Sequence, residues 1–192
     1  MNFKELDPPV IEIPKQEQWY RIQRLKALKD SVRTNGFILP PTGIMAGRFD
    51  LTHQATAYMA DSPETALYES LFRREARSCT MGSLSDRVLT IFETTQRLRL
   101  VDLRGHEESF PVLQSLRYDA TQQLAQDCLD QGIHGVIYAS AQHPYHACLC
   151  LFANGIAAMR RRTATPLVEQ QTQRLLKAVV KAAHGSRVPI LE

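Results

Sequence analysis

The sequence predicts a mixed α/β domain, and three observations predict it. Short apolar runs bounded by turn residues, as at residues 88–92 and at Val136-Ile137-Tyr138, have the length of strands. Other segments place apolar residues at helical spacing behind a recognisable start signal, as at Ser62-Pro63-Glu64. The 192 residues are 44% hydrophobic and 22% charged, enough for one domain whose core needs no disulfide or metal.

Residues 1–16, rich in proline and polar groups, read as an irregular N-terminal arm. Trp19-Tyr20-Arg21-Ile22 opens the domain, as a strand or as a helix, because Ile22, Leu25, Leu28 and Val32 also fit helical spacing. Asn35-Gly36 and Pro40-Pro41 then turn the chain. Residues 55–60 are short and apolar, a strand. Ser62 reads as an N-cap, Pro63 as the first helical residue and Glu64 as the first-turn acid of a helix reaching about residue 77. Ala66, Leu67 and Leu71 form its buried stripe, and Glu69, about 60° round from Ala66, borders it.

Residues 88–92 and 98–103 read as two further strands, and 110–130 as a helix ended near Gly132. Residues 134–139 and 147–153 look like a buried strand pair joined by the loop 140–146. Thr165-Pro166 reads as the cap of a last helix, over about 165–184, stopped by Gly185. There is no internal repeat, low-complexity stretch or domain boundary.

Composition narrows the function classes. No apolar run approaches the ~20 residues needed to span a bilayer, and the N-terminus lacks the charged start and apolar centre of a signal peptide. A cytoplasmic protein is expected. The four cysteines make no disulfide framework. His143, His146, Cys148 and Cys150 invite comparison with a metal cluster, but their spacing matches no usual zinc pattern, so no metal is expected and the cysteines read as buried strand residues. The net charge of +3 permits an anionic ligand without demanding one. Arg160-Arg161-Arg162, the only dense basic run, reads as a solvated loop before a helix. A nucleic-acid contact is the less favoured reading, since no aromatic residues interleave with it.

Three separated stretches carry the chemistry: Gly47-Arg48-Phe49-Asp50, the run from Ala57 to Glu69, and Gly132-Ile133-His134-Gly135-Val136-Ile137-Tyr138-Ala139-Ser140. Singly they are bland, for a lone arginine often braces a fold and a helix glutamate is normally solvated. Together and in this order they resemble the RES-domain family, named for its Arg, Glu and Ser. The resemblance spans roughly residues 19–154, including the closing Cys150-Leu151-Phe152. Where members often continue the first stretch with asparagine and proline or glycine, this chain has Asp50-Leu51-Thr52-His53.

The resemblance implies one domain from residue 17 to 192, with a split, mainly antiparallel sheet like that of ADP-ribosyltransferases. It implies a toxin that consumes NAD as substrate, with no cofactor, by cleaving the nicotinamide–ribose bond. Water or inorganic phosphate takes the ribosyl group, and NAD loss arrests growth. The implied partner is an antitoxin with an Xre-type helix-turn-helix domain, in a hetero-oligomer. By the same resemblance Arg48 binds phosphate, and Arg21 offers a second phosphate or ribose contact or a structural ion pair. Tyr58 stacks on nicotinamide or bonds through its hydroxyl. Glu69 grips the ribose and stabilises its developing positive charge, and Ser140 positions by hydrogen bonding. Glu69 and Arg48 are thus the catalytic candidates. Two alternatives stand beside this reading: mono-ADP-ribosylation of a protein side chain, and a non-enzymatic nucleic-acid or regulatory binding module.

Overall fold

The computed structural model of the chain describes residues 6–192. The chain runs through β1 (Val10–Ile13), β2 (Gln18–Arg24), the hairpin β3 (Val32–Thr34) and β4 (Phe37–Leu39), and β5 (Ala57–Ala60). Helix α1 (Pro63–Ser70) follows, then β6 (Cys79–Thr80), α2 (Met81–Ser85), β7 (Arg87–Thr94) and β8 (Leu98–Asp102). A 3₁₀ turn (Pro111–Gln114) and α3 (Asp119–Asp130) lead to β9 (Gly135–Ala139), β10 (Ala147–Leu151) and α4 (Ala153–Ala157). The last elements are β11 (Met159–Pro166), α5 (Lys177–Ser186) and β12 (Ile190–Leu191).

Eight strands form one sheet in the order β1-β8-β9-β10-β5-β2-β7-β11. Its pairings are antiparallel except β8 with β9, whose connection carries α3 as a crossover helix. The decisive irregularity lies in the middle. β2 pairs with β7 along its whole length, from Gln18 to Arg24, yet meets β5 only at Tyr20 and Ala60. Beyond that single pair the two strands part, and the sheet is split as the resemblance implied.

Three packed clusters hold the halves. Trp19, Phe92, Leu98, Leu149 and Met159 fill one face together with Phe37 and Leu39 of the hairpin. Val101, Leu124, Cys128, Val136 and Phe152 bury α3 against β8 and β9. Leu67, Phe72, Leu84, Val179 and Ala182 join α1 to α5.

Several expectations are corrected. The N-terminal arm is regular over Val10–Ile13, where β1 pairs with β8; residues 1–5 lie outside the described part. The first marked helix begins at the Ser62 cap, whose Oγ accepts from the Thr65 N–H at 3.2 Å, but stops at Ser70. Phe72 turns inward there, its N–H donating to the Leu67 carbonyl. The 110–130 helix is a 3₁₀ turn followed by α3. Thr165-Pro166 caps no helix: it ends β11, and α5 starts at Lys177. The arginine run is therefore strand and not loop. Arg160 pairs with the shielded Glu93 at 3.0 Å, and Arg162 approaches it at 3.6 Å. No described helix is long and apolar enough to cross a membrane.

Candidate active site

The opening between β2 and β5 is a cleft of about 690 Å³, within the range of small-molecule sites. Its floor is made of small groups, Ala60, Ala66 and Cys148, and Tyr138 borders it. Small residues here leave room that larger side chains would fill.

Glu69 stands on its wall, carried by the last turn of α1. Ser140, just past the end of β9, donates from Oγ to Glu69 Oε1 at 2.5 Å. The Gln142 N–H donates to the same oxygen at 3.3 Å. Ser140 Oγ in turn accepts from the backbone N–H groups of Gln142 and His143. One carboxylate oxygen is thus fixed by the 140–143 turn, while Oε2 has no partner among the described residues. A free, oriented carboxylate oxygen in a cleft is the group a developing cation needs.

Arg21 explains how the split is tolerated. Where β2 leaves β5, the Tyr58 carbonyl has no strand partner on that side, and Arg21 Nη1 donates to it at 2.6 Å. Burial lowers the Arg21 guanidinium to about 10, and its Nε is buried without a partner. A buried unpaired donor costs about 1–3 kcal/mol.

Arg48 comes from the Gly47–Asp50 turn, which is tightly built. Asp50 accepts from the Gly47 N–H at 2.6 Å, from Thr56 Oγ1 at 2.8 Å and from the Tyr58 hydroxyl at 2.9 Å. Tyr58 also accepts from the Phe49 N–H. A Cβ on Gly47 would come within 2.5 Å of both Asp50 and Tyr58, so only glycine fits. From the other side, Thr121 of α3 donates to the Arg48 carbonyl and Gln122 to the Gly47 carbonyl. Arg48 lines a small cavity beside Tyr138, and its Nε is also buried and unpartnered. Both Arg48 and Glu69 act electrostatically on Tyr138 and Cys148.

The structure therefore gathers Arg21, Tyr58 and Glu69 in one cleft and ties Ser140 to Glu69. It sets Arg48 next to Tyr138, outside the lining of that cleft. Tyr58 lines the cleft, but its hydroxyl is committed to the Arg48 turn. Burial raises the Tyr58 phenol and the Cys148 and Cys150 thiols, so none is an ionised nucleophile. Among the described residues no group of His, Cys, Asp and Glu is arranged to hold a metal. The sequence reading passed over Asp50 and Gln142; Asp50's signal was its place inside the first stretch, while Gln142 carries none locally.

The loop holding Ser140 is clamped by histidines. His143 Nδ1 meets Thr65 Oγ1 at 2.7 Å, and its ring stacks on His146 at 3.8 Å and meets Tyr68 edge-on. His146 pairs with Asp61 at 2.9 Å. Burial, then His146, lowers the affinity of His143 for a proton, against weaker opposing pulls from Asp61 and Glu64. Burial and Arg99 do the same to His134, whose Nδ1 accepts the Arg99 N–H and so must be unprotonated. Above their ordinary value of 6.5 both histidines are neutral, folded or unfolded. Below it the unfolded chain takes up protons that the folded chain resists, so stability rises with pH through that window. Urea unfolding between about pH 5.5 and 7.5 should give a midpoint that falls on acidification. A flat or rising midpoint contradicts this.

No curated protein matches the chain. Among solved structures it is similar to a chain of the crystal structure of the M. tuberculosis MbcT–MbcA toxin–antitoxin complex, with a TM-score of 0.60 and 16% identity, over 88% of each chain. That likeness bears on the fold. A family model, the RES domain, matches residues 18–175, which takes in β2, the Arg48 turn, α1 and the Ser140 loop alike, and the chain belongs to the RES-domain family.

Proposed function

We propose that this chain is the toxin of a toxin–antitoxin pair and that it depletes NAD by breaking the bond between nicotinamide and ribose. The observation that carries the reading is the Glu69–Ser140 pair on the wall of the split-sheet cleft, with one carboxylate oxygen held and the other free. Arg21 lines the same cleft and Arg48 lies beside the bordering Tyr138, two cations for the dianionic diphosphate of NAD.

In this mechanism the glycosidic electron pair leaves with the nicotinamide nitrogen and cancels its positive charge. The ribosyl carbon becomes cationic, and Glu69 stabilises it while holding a ribose hydroxyl. An oxygen of water or inorganic phosphate then bonds to that carbon, and its proton passes to solvent. NAD is consumed in this account, so no resident cofactor is needed. An antitoxin, of the Xre helix-turn-helix type common to the family, would hold the toxin silent in the cytoplasm.

The test is nicotinamide release by the purified chain supplied with NAD, with and without phosphate. Turnover with no protein acceptor supports the reading. Label transfer to a protein would replace it with ADP-ribosylation, and salt-dependent nucleic-acid affinity without NAD loss would replace it with a binding module. The Glu93 pairing of Arg160 and Arg162 weighs against that last outcome. Arg48→Ala should chiefly raise KM, by about tenfold or more. An unchanged KM removes Arg48 from substrate binding.

A further inference from the structure

Among the described residues lining the main cleft, Arg21, Arg24, Lys29, Arg73 and Arg87 carry positive charge, against the one carboxylate of Glu69. Arg73 is spent locally, donating to the Glu69 carbonyl and approaching Glu75 at 3.8 Å. Arg24 and Arg87 are placed differently. They stand directly opposite one another in the antiparallel pairing of β2 with β7, so both project from one face of the sheet. Tyr20 and Ile22, of the same strand parity as Arg24, pack into the cluster that joins α1 to α5. Alternation therefore puts the arginine pair on the face that carries α1 and Glu69.

Like charges at opposed strand positions destabilise a sheet. Here both side chains are half-buried, where water screens them less. Burial, then Arg24, weakens the hold of Arg87 on its proton, and Asp86 opposes this least of all the neighbours. Arg87 Nη1 donates to the Ser83 carbonyl, a neutral partner. Among the described residues neither arginine forms an ion pair, and the Arg24 guanidinium has no hydrogen-bond partner. Two guanidinium groups held side by side without a counterion make a site that a shared dianion stabilises.

Position narrows the choice of dianion. The split is pinched at Tyr20 and Ala60 and opens along β2. Arg24, four residues on, lies about 13 Å from the pinch, where the exposed Leu28 also lines the cleft. In the proposed reaction Glu69 meets the reacting sugar, and Arg21 and Arg48 meet the diphosphate. The charge of NAD is then already matched. The outer pair is left for a further phosphate, one carried on the second ribose.

We infer that Arg24 and Arg87 form a subsite for a phosphate monoester, so that the cleft takes dinucleotides phosphorylated on the adenosine ribose as well as NAD. This rests on the proposed cleavage of NAD and widens its substrate class to NADP.

The probes are NADPH and NADH, titrated calorimetrically into the full chain. Their reduced rings lack the cationic nitrogen that makes the glycosidic bond labile, so neither is consumed, and they differ only in the phosphate. NADPH should bind about tenfold or more tighter than NADH. Arg24→Gln and Arg87→Gln should each bring that ratio close to one, while Arg24→Lys keeps part of it. Because Arg24→Gln removes repulsion, it should also raise the Tm of the ligand-free chain, by up to about 4 °C. Equal affinities in the parent, or a preference that survives both glutamine substitutions, overturns the assignment. So does Arg24-dependent binding of inorganic phosphate with no preference for NADPH, which would make this a site for the free ion. The two readings fail separately. Absent nicotinamide release with an Arg24-dependent NADPH preference sinks only the cleavage, and normal NAD turnover without that preference sinks only the subsite.

Discussion

Glu69→Gln should lower kcat for nicotinamide release by about 10²–10³-fold, the usual cost of removing one preorganised electrostatic group from a transition state. The substitution keeps the shape and the contact with Ser140 Oγ while removing the charge. KM should move little, because the charge matters most once the ribose turns cationic. Ser140→Ala keeps the charge but removes one of the two donors that aim the carboxylate, together with the acceptor of the Gln142 and His143 N–H groups, and should fall between the parent and Glu69→Gln. The comparison requires folded proteins, checked by circular dichroism and thermal midpoint. A Glu69→Gln protein turning over within about tenfold of the parent would remove the carboxylate from the chemistry.

The largest stability effect should come from Phe92→Ala. Phe92 is fully buried on β7, and its ring stacks on Phe37 of the hairpin with centroids 3.7 Å apart and planes 9° from parallel. Large-to-small changes of this kind cost about 3–5 kcal/mol through lost transfer energy and the cavity left behind. In a chain of this length each kcal/mol corresponds to roughly 2–4 °C of Tm, so a fall of about 10 °C is expected. The hairpin also supplies Ile38 and Leu39 to the cleft, and Gln23 ties it to β2 through the Gly36 carbonyl at 3.0 Å. Loosening it should widen the cleft and raise KM alongside the lost stability. A denaturant midpoint equal to the parent's would show that this stack is not the brace described.

The parts of the fold legible in the sequence are those set by neighbours in the chain. Ser62, Pro63 and Glu64 announce a helix start because capping is local, and the start is where they put it. The strand pair around the Ser140 loop was legible because both runs are buried and apolar. β11 was not. Residues 160–166 are exposed and mostly polar, and what makes them a strand is pairing along β7, a partner some seventy residues away. Thr165-Pro166 imitates a helix cap for the same local reason that Ser62-Pro63 is one. Of the candidate site, residue identities were readable from the ordered stretches. The contacts were not: neither Arg21 reaching the Tyr58 carbonyl nor Tyr58 spending its hydroxyl on Asp50 has a signature in sequence.

The family match ends at residue 175, before α5 begins. Yet Val179 and Ala182 of α5 pack with Leu67 of α1, Lys181 pairs with Glu64 at 3.3 Å, and Gly185 lies so close to the Tyr68 hydroxyl that a side chain there would displace it. The helix bearing the carboxylate is therefore half-supported by a segment the shared pattern does not describe. Family border and cooperative unit do not coincide, and two relatives with identical signature residues can differ in how firmly they hold them.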